Sequence, residues 1–126
     1  MKSRRVVIIC DDLSISAVLK YYFETQDYSV GEYTSSMSGL EECKANPPDI
    51  IIILYSSLGS PPDEFTLCRA LREILNEKTT PIFLISTFRD KAIESGASEW
   101  FDIVFNIEEI GTCAAVHIKK KEERSS

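Results

Sequence analysis

Residues 50–54 read Ile-Ile-Ile-Ile-Leu, four β-branched side chains in succession followed by a fifth apolar one. A strand with one wet face alternates apolar and polar residues, because successive side chains point to opposite sides of the sheet; a run that is apolar at every position has both faces covered. This segment therefore belongs in the middle of a sheet with helices packed above and below it. A second run, Val6 to Cys10, has the same character and ends on two acids, Asp11-Asp12. The isoleucine run ends instead on Tyr55-Ser56-Ser57, neutral hydroxyls that lead into Gly59-Ser60-Pro61-Pro62, a loop.

Around these two runs, helical and extended patterns alternate. Leu13, Ala17, Leu19 and Phe23 recur at helical spacing, with Asp12 or Ser14 placed to cap the first turn and Gln26-Asp27 at the end. Tyr28 to Tyr33 reads as a second strand; Ser35-Ser36 then precede a short helix carrying Met37, Leu40 and Cys43, which Asn46-Pro47-Pro48 stops. The third strand spans Asp49 to Tyr55. Phe65, Leu67-Cys68, Leu71 and Ile74-Leu75 form an apolar stripe on a helix over Asp63 to Asn76. Pro81 to Ser86 is a fourth strand, Thr87 to Ser95 has room for at most about two helical turns before a capping Gly96, and Trp100 to Phe105 is a fifth strand. A last helix runs from Ile107 to about Lys121, with Ile107, Ile110, Ala114 and His117-Ile118 on one face.

Five strands alternating with five helices imply parallel strands joined by right-handed crossovers: an α/β, doubly wound open sheet with helices on both sides. In such sheets ligands sit beyond the C-terminal ends of the central strands. Asp11-Asp12, Tyr55 to Ser57 and Ser86-Thr87 all fall at those ends, so they are expected on one edge.

The 126 residues suit one domain, read as residues 1–121 with a charged tail or linker start at 122–126. A net charge of −6 and a single dense basic cluster, Lys119-Lys120-Lys121, followed at once by Glu122-Glu123, disfavour direct contact with nucleic acid. The apolar run from Ile50 to Tyr55 is far short of the roughly 20 residues that span a bilayer, and no signal peptide is legible, so a cytoplasmic protein without membrane contact is expected. Cys10, Cys43, Cys68 and Cys113 are scattered through apolar or periodic segments, as reduced buried thiols are, and His117 is the single histidine. No glycine-rich phosphate loop is present, and no cofactor is expected.

Five stretches, in order, resemble the receiver domain of bacterial two-component response regulators: 7–12 (Val-Ile-Ile-Cys-Asp-Asp), 47–54 (Pro-Pro-Asp-Ile-Ile-Ile-Ile-Leu), 63–72, 81–87 (Pro-Ile-Phe-Leu-Ile-Ser-Thr) and 96–101 (Gly-Ala-Ser-Glu-Trp-Phe). The likeness covers Arg4 to about Lys121 and implies a flavodoxin-like receiver fold, with a fourth helix shortened relative to the family because the interval from Ser86 to Gly96 is shorter. It implies that two acids after the first strand, here Asp11 and Asp12, would hold magnesium together with an aspartate after the third strand that accepts a phosphoryl group. That acceptor position falls on Tyr55 by strand ends, with Leu54 or Ser56 as alternatives, and none of them is a carboxylate. The family's hydroxyl residue corresponds to Ser86, while its lysine and following proline fall on Ile103 and Val104. Magnesium needs an oxygen shell with carboxylates, and phosphoryl transfer is mostly charge neutralisation and in-line positioning, so these losses act together. The resemblance therefore points to a degenerate pseudo-receiver that is not an enzyme.

Each residue singled out also has a plain structural role available. Asp11-Asp12 serve equally as a weak cation site or as a solvated pair favouring a helix start. Tyr55 and the serines beside it serve as kinase substrates or as local hydrogen-bonding groups, and His117 as a half-buried surface residue. The expected function is contact with protein partners, a second copy or other domains of the same polypeptide included. The expected face is anchored by Phe88, Trp100, Phe101 and Ile110 and ringed by Arg89, Lys91 and Glu99. The alternative is a phosphorylatable receiver with a displaced acceptor, Asp63, and magnesium at Asp11 and Asp12.

Overall fold

The computed structural model describes residues 4–55, 63–75 and 80–125. Ser56, Ser57 and the 59–62 loop lie outside the described residues. Strands β1 (Arg4–Cys10), β2 (Tyr28–Tyr33), β3 (Ile50–Leu54), β4 (Ile82–Ile85) and β5 (Glu99–Phe101) alternate with helices α1 (Leu13–Thr25), α2 (Ser36–Ala45), α3 (Glu64–Leu75), α4 (Arg89–Glu94) and α5 (Ile107–Ser125). All strands are parallel, in the order β2-β1-β3-β4-β5. The isoleucine strand is thus central, flanked by β1 and β4, as its unbroken apolar run requires.

The pleat sorts the core into two halves. Val6, Ile8, Cys10, Ile50, Ile52, Leu54, Phe83 and Ile85 point to one side, where Leu19 and Phe23 of α1 and Ile110, Ala114 and Ile118 of α5 cover them. Val7, Ile9, Ile51, Ile53, Ile82 and Leu84 point to the other, beneath Cys43 of α2, Phe65, Cys68 and Leu71 of α3 and Ala92 of α4. Each such side chain withdrawn from water contributes roughly 1.5–3 kcal/mol, which sets the register as well as the layers. Gly39 is where α2 comes closest to the sheet: a Cβ there would lie 2.5 Å from Ile9 Cδ1.

Helix boundaries follow local chemistry. Asp12 caps α1, its Oδ1 accepting from the amides of Ser14 (2.9 Å) and Ile15 (3.0 Å). Ser35 caps α2 through the Ser38 amide. Asp63 stands before α3 and takes the Thr66 amide at 2.7 Å. Asp27, at φ 68°, turns the chain from α1 into β2, and Gly96, at φ 104°, does so between α4 and β5, a conformation that favours glycine.

Two boundaries differ from expectation by more than two residues. β5 ends at Phe101 rather than Phe105, because as an edge strand it pairs only with β4, whose last residue is Ile85, paired with Phe101. Beyond it the chain turns, with Asp102 Oδ1 accepting from the Val104 amide at 3.3 Å. α5 runs past Lys121 to Ser125; Arg4 of β1 pairs with Glu122 at 3.2 Å and Lys121 with Asp49 at 3.6 Å, tying the added turn to the sheet.

Candidate functional site

The carboxyl ends of β1, β3 and β4 bring Asp11, Asp12, Tyr55 and Ser86 to one edge, as expected from their positions at strand ends. Cys10 is level with Leu54 across the β1–β3 pair, so the next residues, Asp11 and Tyr55, face one another. Leu54 is 3% exposed and belongs to the core beneath the α1–α5 layer. Tyr55 is the residue that emerges from the strand, and its hydroxyl is hydrogen-bonded to that of Ser36 on α2. Burial, followed by the charges of Asp11 and Glu64, raises the Tyr55 phenol above its ordinary 10, partly offset by the Ser36 bond. It is a neutral hydroxyl held by a neutral neighbour.

The two acids do different things. Asp12 is committed to the α1 amides, whereas Asp11 is half-buried and close enough to Cys10, Tyr55 and Glu64 to raise their affinity for protons. Glu64, at the start of α3, was not singled out from the sequence; adjacency to Asp63 was the available signal. Burial and then the Asp63 and Asp11 carboxylates hold its proton more tightly than the ordinary 4.5. Among the described residues, no three carboxylate, histidine or cysteine side chains converge at this edge. With Asp12 turned to its helix and a phenol at the end of β3, the donor set does not fit a magnesium ion held for phosphoryl chemistry.

Ser86 is 4% exposed and fully engaged. Its amide donates to the Phe101 carbonyl (3.0 Å), its Oγ accepts from the Phe88 amide (3.0 Å), and its carbonyl accepts from Trp100 Nε1 (2.8 Å). The Ser86 amide and carbonyl thus join the ends of β4 and β5, and its hydroxyl holds the start of α4.

Comparison with known structures gives TM-scores of 0.71 to 0.82. The receiver domain of the Francisella response regulator 1452 superposes at 0.82, with 22% identity over 94% of this chain and 99% of that one. The fold is that of a receiver domain. A receiver domain of a Syntrophus aciditrophicus histidine kinase matches at 0.79, with 21% identity over 94% of this chain and 92% of that one. The receiver domain of the Pseudomonas aeruginosa sensor kinase PA1611, described with magnesium in its active-site cleft, matches at 0.78 with 14% identity over 94% and 99% of the two chains. In sequence, the chain is 29% identical over 100 residues to the transcriptional regulatory protein CseB of Streptomyces avermitilis, covering 75% of this chain and 40% of that regulator. No family model matches it.

Ile103 and Val104, the two residues after β5 on which the resemblance places the family's lysine and proline, are 54% and 85% exposed, apolar groups turned to water. The expected anchor residues do not share a face. Ile110 is 0% exposed, inside the core, because its helical position points straight at the sheet; it presents nothing to a partner. Phe101 packs on Phe83 (centroids 5.6 Å apart) on the α5 side, while Trp100, one residue earlier, packs on the α4 side. Phe88 is the exposed one, at 48%; its ring lies 6.5 Å from that of Phe65, with Lys91 Nζ 5.2 Å above it. Arg89 and Lys91 are exposed beside it, and Glu99 turns instead to His117.

Asp63, the displaced acceptor of the alternative reading, is exposed and caps α3. The Thr66 amide, above all, holds its carboxyl below the ordinary 3.8. A depressed folded value means that the cap stabilises above pH 3.8 and that this contribution is lost as pH falls through the folded value. Asp63→Ala is expected to cost about 1 kcal/mol at pH 7 and less as the wild-type carboxyl becomes protonated, whereas Asp63→Asn keeps a neutral cap throughout. Urea denaturation of the three proteins from pH 7 down through the acid range checks this, and an equal loss for both variants at pH 7 would remove the capping role.

Proposed function

We propose that this chain is a signalling or scaffolding module of receiver fold, from a bacterial regulatory system, that works by protein contact without aspartyl phosphorylation. The observation that carries the reading is the end of β3: a buried Leu54 followed by Tyr55, whose hydroxyl is bonded to Ser36 where Asp11 would need a facing carboxylate. Where the family's lysine and proline would follow β5, the sequence has Ile103 and Val104. Asp12 and Asp63 are each bound to helix amides.

The contact surface that fits this reading is the α4 side of the sheet edge, with Phe88 as anchor and Arg89 and Lys91 around it. Phe88 is already 48% exposed at the start of the six-residue α4. Its partners would be cytoplasmic proteins, a second copy or further domains of a longer polypeptide.

Incubation with acetyl phosphate and magnesium, followed by intact mass measurement under mild conditions, is expected to leave the mass unchanged. Beryllofluoride with magnesium is expected to leave the amide spectrum of residues 11, 12, 55 and 63 in place. A hydroxylamine-labile phosphoryl adduct on any carboxylate would overturn the reading. For the contact face, Phe88→Ala is expected to weaken binding of the partner recovered by cross-linking about thirtyfold, the effect of a desolvated aromatic anchor. Asp11→Asn should change that binding less than about twofold; equal effects would move the surface elsewhere.

A further inference from the structure

Away from the sheet edge, three metal-ligating side chains converge from two elements. Glu99 opens β5, and Cys113 and His117 sit four residues apart on α5, one helical turn and one face. One ligand atom from each lies within 4.8 Å of the other two, and His117 Nε2 is 2.9 Å from Glu99 Oε2. Among the described residues this is the one group of three such side chains. The fold positions each of them: Glu99 shares the α5 face of the sheet with Phe101, and the His117 ring is tilted 60° against the buried Phe83 ring at 5.4 Å. All three are half-buried, open enough for an ion to enter and sheltered enough to hold it.

We propose that Glu99, Cys113 and His117 form a binding site for a zinc-class transition metal, with water in the fourth position. A thiolate, an imidazole and a carboxylate are the donors such an ion takes, and a thiolate excludes magnesium and calcium. The charges close: thiolate and carboxylate balance the dication, and the imidazole binds neutral. On binding, the Cys113 S–H bond breaks, sulfur bonds to the metal, and the thiol proton, with any proton shared by His117 and Glu99, passes to solvent. Tetrahedral coordination needs donors about 3.3–3.8 Å apart. The His117–Glu99 pair therefore opens by about half an ångström and the widest pair closes by at most about 1.5 Å, movements within the reach of side-chain rotation. Bound metal would staple the three-residue edge strand β5 to the last helix. The site does not rest on the proposed signalling role.

Cobalt(II) is the probe, added to the reduced, metal-free chain. Expected are saturation at one equivalent, a thiolate-to-cobalt charge-transfer band with tetrahedral visible bands, and displacement of both by zinc. Cys113→Ser should abolish the charge-transfer band. His117→Gln and Glu99→Gln, both at half-exposed positions and checked for an unchanged circular dichroism spectrum, should each weaken cobalt binding at least about tenfold. Zinc should raise the thermal midpoint of the wild type and leave that of Cys113→Ser unchanged. Absence of the band at saturating cobalt would overturn the site, as would its persistence in Cys113→Ser or undiminished affinity in both Gln variants.

Discussion

Phe83→Ala is expected to remove about 3–5 kcal/mol of folding free energy, a large share of the roughly 5–15 kcal/mol that holds a domain of this size. Phe83 is 0% exposed, in the middle of β4, where it lies level with Ile52 of β3 and Glu99 of β5. Its ring is the one surface against which both Phe101 and His117 pack, at 5.6 and 5.4 Å. Truncation loses the transfer free energy of the ring and leaves a void that two elements would have to collapse to fill, and β5, with a single pairing partner, is poorly placed to follow. Urea denaturation should show a lower midpoint with an unchanged slope, and Phe83→Leu should lose markedly less. A loss below about 1.5 kcal/mol for Phe83→Ala would mean that the core on the α5 side is not organised around this ring.

The second large effect is expected at Arg72, in the last turn of α3. Its guanidinium donates to the Gly96 carbonyl from Nε (3.1 Å) and Nη2 (2.8 Å), to the Thr80 carbonyl from Nη1 (2.9 Å) and to Ser98 Oγ from Nη2 (3.1 Å). Ser98 Oγ accepts in turn from the Ile82 amide at 3.0 Å. One side chain thus fixes the entries to β4 and β5 to the helix beneath them. Half-buried hydrogen bonds with one charged partner contribute more than neutral ones, so Arg72→Ala is expected to cost about 2–3 kcal/mol. Arg72→Lys should recover less than half of this, because an ammonium lacks the planar fork that reaches three acceptors together. Hydrogen exchange gives the local reading: amides of 97–101 should exchange faster in Arg72→Ala while those of β1 and β3 keep their protection. Uniform change across the sheet, or full rescue by lysine, would count against this role.

Much of the fold was legible in the residues because burial on a sheet leaves a direct record. The unbroken apolar runs at 6–10 and 50–54 fixed two central strands, the stripe from Phe65 to Leu75 fixed α3, and Asp12 or Ser14 and Ser35 marked helix starts, of which the structure uses Asp12 and Ser35 as caps. The brevity of α4 followed from the short interval before Gly96. The candidate site was legible as a set of strand ends, since parallel topology sends them all to one edge.

What pattern alone left open was decided by register and by packing. Among Leu54, Tyr55 and Ser56 no sequence rule selects the residue that faces Asp11; the pairing of Cys10 with Leu54 does, by sending Leu54 into the core and Tyr55 out to Ser36. Ile110 reads as an anchor in a list of apolar residues and is core in three dimensions, because the rotation of α5 is set by Ala114 and Ile118 packing with it on the sheet. Glu99, Cys113 and His117 carry no spacing signal that links strand to helix, and they meet only because β5 and α5 lie on the same edge of the fold. Amino-acid order determined which segments must be buried, since hydrophobicity is a property of each residue; which side chains confront one another depended on the tertiary arrangement, since distance between elements is a property of the whole chain.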